Sequence, residues 1–227
     1  IAFTQYPQYS CTTSGSSFNE LWRVLQRKPQ FPPLSIIDRW GSNMKLAEAF
    51  AKLIRKELAH FSDPSKAVLL FSAHSIPHRV VDSGDTYPMK VAETVANVMK
   101  VLGHSNPYRL VWQSQVGPLP WLGPKTEDAL KGLQEHGQKE AVLIPIAFTS
   151  DHIETLYELD LLYMKEANKH GMNVRRCEAL NTEPLFIDAL ADVVLTHLKQ
   201  GRKSSQQFSM RCTGCTSDDC LQQKAYF

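Results

Sequence analysis

Four apolar runs of strand length, near residues 67–72, 108–113, 141–147 and 174–179, alternate with stretches whose apolar positions recur at helical spacing, near 87–102, 124–136, 151–170 and 183–199. This alternation predicts an α/β chain with a parallel sheet covered on both faces, because each parallel pair needs a helical crossover. Upstream, a polar stretch at 12–17 leads into a helix near 18–26, and a Pro-rich connection at 28–33 precedes a short strand at 34–37. An amphipathic helix follows at 45–60, with Leu46, Ala49, Phe50, Leu53, Ile54 and Leu58 on one face. Ser62-Asp63-Pro64-Ser65 reads as a turn and a domain boundary.

Two strand ends carry candidate chemistry. The run Ala141 to Ile146 gives way at Thr149, Ser150 and Asp151, an N-cap cluster, to a predicted helix on which Asp151, Glu154 and Glu158 fall at i, i+3 and i+7. His152 sits beside them. Acids in the first turns of a helix also complement its dipole with no further role. The run Ala67 to Ser72 likewise ends in Ala73-His74-Ser75-Ile76-Pro77, where Pro77 holds His74 in a short loop at the strand's carboxyl edge. A lone His is more often a satisfied structural residue. Two such ends in one sheet would set His74 opposite the acids, a constellation suited to cation handling or proton transfer.

Composition narrows the classes without choosing among them. The chain has 227 residues, 43% hydrophobic and 21% charged, with a net charge of +2, so no general field for nucleic acid is expected. No apolar run approaches the roughly 20 residues of a membrane-spanning helix. There is no Gly-x-Gly-x-x-Gly, no Walker A sequence and no Gly-x-Ser-x-Gly, which argues against a nucleotide site and against a serine hydrolase built on Ser72 or Ser75 with His74.

Three of the five cysteines lie together as Cys212-x2-Cys215-x4-Cys220. Thiolates this close form a metal knuckle, and a fourth ligand must come from Cys11 or Cys177. Cys177 falls inside a strand, where a small buried thiol is the default, so Cys11 in its loop is the expected partner. Zinc, an iron–sulfur cluster and a disulfide all fit the spacing.

Several segments together carry a family likeness: Gln5-Tyr6-Pro7-Gln8-Tyr9-Ser10-Cys11, Phe71 through Pro77, Trp112-Gln113-Ser114, Val116 through Leu122 and Ala147 through Asp160. They resemble the ferrochelatases, the animal mitochondrial members above all, and the likeness covers nearly the whole chain. The resemblance implies insertion of ferrous iron, as substrate, into protoporphyrin IX to form protohaem, a lyase reaction ending haem synthesis. It implies a fold of two Rossmann-like, chelatase-type parallel-sheet domains with the porphyrin between them. His74 matches the family's base and Glu154 its paired carboxylate. Asp151, His152 and Glu158 match its acidic path, and Asp192 a further acid. Tyr6, Trp121 and Phe148 match pocket-lining positions. It also implies a [2Fe–2S] cluster on Cys11, Cys212, Cys215 and Cys220, a homodimer, and peripheral attachment to the matrix side of the mitochondrial inner membrane.

On this reading residues 1–61 are the remainder of a first α/β domain whose N-terminal portion is missing. Residues 62–200 form the second domain, and 201–227 a Cys-rich C-terminal extension. The chain departs from the family where Asp38-Arg39-Trp40 is followed by Gly41-Ser42-Asn43-Met44 rather than by a His. A truncated, non-catalytic cluster-binding fragment is the alternative expectation.

Overall fold

The computed structural model describes residues 1–28, 30–205, 214 and 216–227. Their strands are β1 (Ala2–Phe3), β2 (Ile36–Ile37), β3 (Val68–His74), β4 (Tyr108–Gln113), β5 (Glu140–Pro145) and β6 (Asn173–Arg176). Their helices are α1 (Ser16–Gln26), α2 (Met44–Leu58), α3 (His78–Asp82), α4 (Tyr87–Val101), α5 (Thr126–Glu135), α6 (Lys165–Lys169), α7 (Pro184–Gln200) and α8 (Asp218–Tyr226). Strands β4-β3-β5-β6 form one sheet in that order, and β1 pairs with β2 in a second; every pairing is parallel. The expected α/β class with parallel sheets is therefore what the chain adopts.

Strand β3 shows why. All of Val68 to Ala73 is buried, and alternate side chains go to opposite faces of the sheet. Leu69, Phe71 and Ala73 join Val142, Ile144 and Ile146 in a core closed by residues of α2, α4 and α7. Val68 and Leu70 join Val111, Leu143 and Val174 in a second core closed by Ala129 and Leu130 of α5, with Leu159 and Ala167. Each fully buried side chain of this size stabilises the fold by roughly 1.5–3 kcal/mol relative to exposure. The helix predicted at 45–60 forms as α2, and its six predicted core residues are all buried. Asn43 caps it by accepting the Leu46 amide. Helix α7 starts at Pro184 and stops at Gly201, whose φ of 60° suits a left-handed C-cap.

The order of strands places a topological switch. From β3 the chain moves to β4 on one side, then returns across to β5 on the other. The connections leaving the carboxyl ends of β3 and β5 thus run to opposite sides, the place in such sheets where ligands usually bind.

Four local readings need correction. The segment expected as an ordinary helix over 151–170 is a π-helix at Glu154–Met164 running into α6. His74 is the last residue of β3, paired with Gln113, rather than a loop residue. Cys11 opens a π-helical turn, Cys11–Gly15, capped by Ser10 and continuous with α1. Cys177 lies just beyond β6, buried, with its amide donating to Leu143.

Candidate active site

The imidazole of His74 is oriented by its own main chain. Its Nδ1 lies 2.6 Å from the Ser75 carbonyl oxygen. A carbonyl only accepts, so Nδ1 carries the proton and Nε2 of the neutral ring holds a free lone pair. Nε2 faces Glu154 Oε1 at 3.6 Å, and both side chains are about one-third exposed. The peptide linking His74 to Ser75 is pinned on both sides. The Tyr87 hydroxyl donates to the His74 carbonyl at 3.1 Å, and the Ser75 amide donates to Gln113 at 2.8 Å.

Glu154 is held at the mouth of the π-helix. Its backbone carbonyl accepts from Gln113 Nε2 at 2.8 Å, tying the helix start to the end of β4. Its amide donates to His152 Nδ1 at 3.2 Å, so His152 keeps its proton on Nε2. His152 Nδ1 also lies 3.9 Å from Glu154 Oε2, and the ring meets buried Phe148 edge-on with centroids 5.2 Å apart. Glu158 follows about a turn later. Its Oε2 accepts from Ser114 Oγ at 2.8 Å and Gln113 Nε2 at 3.3 Å. π-Helical turns are rare and concentrate at functional sites. Here the widened turns keep Glu154 and Glu158 on the side facing the β4 end.

Asp151 does not join that row. It precedes the π-helix and accepts from Arg176 Nη1 at 2.7 Å, Thr155 Oγ1 at 2.9 Å and Asn181 Nδ2 at 2.9 Å. Burial pushes its carboxyl up, but the Asn181 hydrogen bond, the Arg176 charge and the Thr155 hydroxyl outweigh that and hold it below the usual carboxylate value. Three acids evenly placed on one helical stripe are thus replaced by two on the π-helix and one anchored to β6. Asp192 sits elsewhere, on α7, accepting from Asn43 Nδ2 at 2.9 Å and pairing with Lys45 at 3.0 Å. Those contacts, Asn43 foremost, hold it ionised below its ordinary value.

Of the expected pocket residues, Trp121 lies beside His74 with ring centroids 6.4 Å apart, held by a bridge between Pro77 and Trp121. Tyr6 is exposed, and Ile153, Leu156 and Tyr157 of the 153–157 segment are also exposed apolar side chains. An imidazole–carboxylate pair with exposed apolar side chains nearby in the chain suits a ligand that is largely apolar. The sequence reading gave no role to Gln113, Ser114, Tyr87 or Asp85. The polar pair Gln113-Ser114, coming straight after an apolar strand next to that of His74, was the available signal.

Cys212 and Cys215 lie outside the described residues. Cys11 is half-buried and its amide donates to Asp85 Oδ2 at 2.7 Å. Cys220 is buried in the first turn of α8, which packs against α1 through Trp22–Tyr226, Arg23–Asp219 and Gln26–Gln222 contacts. Gly214 donates its amide to the Ser83 carbonyl at 3.1 Å, close to Asp85 in the chain. Cys11 thus precedes α1 and Cys220 lies on the helix packed against α1; thiols are the donor type that zinc and iron–sulfur groups accept. Among the described residues, no three His, Cys, Asp or Glu side chains are grouped closely enough to hold a metal ion. Nor is any described helix long and apolar enough to cross a membrane.

Comparison with known proteins identifies the family. A sequence model of the family described as Ferrochelatase matches residues 1–198. The chain is 52% identical over its whole length to the mitochondrial ferrochelatase of Xenopus laevis, 51% to that of Homo sapiens and 47% to that of Drosophila melanogaster. It spans 57%, 55% and 61% of their respective lengths. The structure of SirB from Bacillus subtilis with Fe3+ superposes with a TM-score of 0.62 at 12% identity, covering 88% of this chain and 73% of SirB, and shows the shared fold.

Proposed function

The chain belongs to the ferrochelatase family, and on that premise we propose that it forms the catalytic half-site for inserting ferrous iron into protoporphyrin IX. The observation that carries the proposal is the His74–Glu154 pair at the β3/β5 switch point, with Nδ1 on the Ser75 carbonyl and Nε2 facing Glu154.

Insertion exchanges two pyrrole N–H protons for one Fe2+, so the charge of the macrocycle does not change. In this reading His74 Nε2 accepts the two pyrrole protons in turn; each imidazolium so formed is stabilised by Glu154 across the 3.6 Å gap until its proton is released to water. His152 and Glu158 extend the path between the site and bulk water. Their carboxylate and imidazole donors suit either outward protons or an incoming borderline-hard cation. Trp121, Tyr6 and Phe148 supply apolar wall for the porphyrin. Asp151 acts through Arg176, Thr155 and Asn181 by fixing the start of the π-helix, and Asp192 stands apart with Asn43.

Cys11, Cys212, Cys215 and Cys220 would hold a [2Fe–2S] cluster, which supplies a one-electron centre and a covalent tie between the tail and the start of α1. The same reading keeps residues 1–61 as part of a first domain, 62–200 as a second, and 201–227 as the cluster-bearing extension. Placement in the mitochondrion follows the names of the relatives. Attachment to the matrix side of its inner membrane and a homodimer complete the proposal.

The test is anaerobic loss of free-protoporphyrin fluorescence on addition of ferrous iron, with His74→Ala as control. Turnover by the wild type and none by the variant, at unchanged far-UV circular dichroism, is expected. Equal turnover by both would remove His74 as the base. No turnover by either, with cluster absorbance intact, would make the chain a cluster-binding unit instead.

A further inference from the structure

The sheet face that carries Val68, Leu70 and Val111 is apolar until its carboxyl end, where it turns polar while still buried. Ser72 and Thr126 are fully buried, and Gln113 is 1% exposed. Ser72 stands two residues before His74 on β3, so both side chains leave the same face, and Gln113 is the register partner of His74 on β4. Thr126 opens α5, the helix that covers this face. Hydroxyl and amide groups are costly in a core unless each finds a partner. Here they partner one another in a line. Thr126 Oγ1 lies 2.7 Å from Ser72 Oγ, and Ser72 Oγ lies 2.7 Å from Gln113 Oε1.

The line has a direction. The Glu154 carbonyl only accepts, so the Gln113 atom 2.8 Å from it is the amide nitrogen, which also reaches Glu158 Oε2 at 3.3 Å. The amide oxygen therefore faces Ser72, whose hydroxyl proton goes to it, and Thr126 in turn donates to Ser72. With one end of the amide on two acceptors and the other on a donor, both its direction and its plane are fixed. Gln113 holds the base as well, because its carbonyl accepts the Ser75 amide at 2.8 Å. One residue thus grips the segment of His74 through its main chain and the acids through its side chain.

We infer that Ser72 and Thr126 are positioning residues for Glu154 and Glu158, acting through the Gln113 amide. The inference rests on the reading that these acids serve metallation. Ser72 is no nucleophile, since its burial denies it any substrate and its proton is committed to Gln113. Its hydroxyl instead keeps the Gln113 NH2 group on the first turn of the π-helix, which holds Glu154 within 3.6 Å of His74 Nε2. Thr126 supplies the donor that keeps the Ser72 hydroxyl turned toward Gln113.

The test sets side-chain amide 1H–15N spectra of the purified chain beside metallation kinetics, with far-UV circular dichroism to report folding. The Gln113 NH2 pair is assigned by its loss in Gln113→Glu, and in the wild type it should give two sharp, slowly exchanging proton signals. Each hydroxyl is removed separately, so one folded variant suffices. Thr126→Val keeps the shape of the side chain without the hydroxyl, and Thr126→Ser keeps the hydroxyl without the methyl. The valine variant should broaden the Gln113 pair and lower kcat about threefold at unchanged KM for protoporphyrin, while the serine variant should match the wild type. Ser72→Ala leaves Gln113 Oε1 without its donor, so the pair should broaden further and kcat fall about tenfold. Wild-type signals and kcat in either folded variant would overturn the role. So would broadened signals at wild-type kcat, because the order of Gln113 would then not reach the acids. Equal losses in Thr126→Val and Thr126→Ser would overturn the part given to the hydroxyl and assign the effect to packing. A sharp Gln113 pair in a wild type without turnover would overturn the metallation reading, and this role with it.

Discussion

Asp151→Asn separates anchoring from chemistry at the residue where the two readings differ most. The carboxylate accepts from Arg176, Thr155 and Asn181, with a longer contact from the Ala179 amide at 3.3 Å. The amide keeps the shape, removes the charge and turns one acceptor into a donor. Arg176 is not orphaned, because Asp160 still meets its Nε and Nη2 at 2.6 and 2.8 Å. The loss therefore falls below the roughly 3–5 kcal/mol of a fully broken buried pair. One charged hydrogen bond and a weakened second amount to about 2–3 kcal/mol. For a chain of this size that is a fall in Tm of about 5–10 °C. The folded carboxyl lies below its ordinary value, so its stabilisation is fully present above the unfolded Asp pKa of about 3.9 and is lost as pH falls through the folded value. The Tm gap between wild type and variant should accordingly be full at neutral pH and close below about pH 4. Thermal melts by circular dichroism, run beside metallation kinetics, check both halves. A Tm within about 1 °C of wild type, combined with a hundredfold fall in kcat, would refute the anchoring argument and return Asp151 to the reacting centre.

Two further outcomes follow from the same geometry. Ser114→Ala removes the 2.8 Å donor to Glu158 and should lower kcat/KM about tenfold, equivalent to about 1.4 kcal/mol, with the fold unchanged; wild-type kinetics would remove Glu158 positioning from the mechanism. Cys177 is 1% exposed and burial raises its thiol, so mass spectrometry should find it unlabelled by thiol reagents until the protein unfolds. Labelling of Cys177 in the native protein would contradict that environment.

The strands, their parallel arrangement and the buried face of α2 were legible because each rests on local periodicity. The apolar run Val68 to Phe71 can satisfy its pattern only between two helical layers. The approach of His74 to Glu154 was legible for a related reason, since both follow the carboxyl ends of strands expected in one sheet. The stripe of acids was misread because a 3.6-residue period was assumed where the backbone adopts wider π-helical turns. Asp151 leaves that stripe for Arg176, a partner from β6 that no spacing in the sequence indicates. Asp85 and Tyr87 were missed for the same reason, as their meaning lies in contacts with Ser10, Cys11 and His74 made only in three dimensions.

The pairing of β3 with β5 also bears on when the protein becomes competent. Val68 meets Ala141 across an intervening strand and three helices, so this ladder closes only after a large entropic penalty has been met. His74 leaves one of these strands and Glu154 follows the other. A nascent or partly folded chain thus has His74 and Glu154 on separate, unassembled segments. Closure of this one ladder therefore sets the distance between the two side chains, and their pairing is a late event in folding.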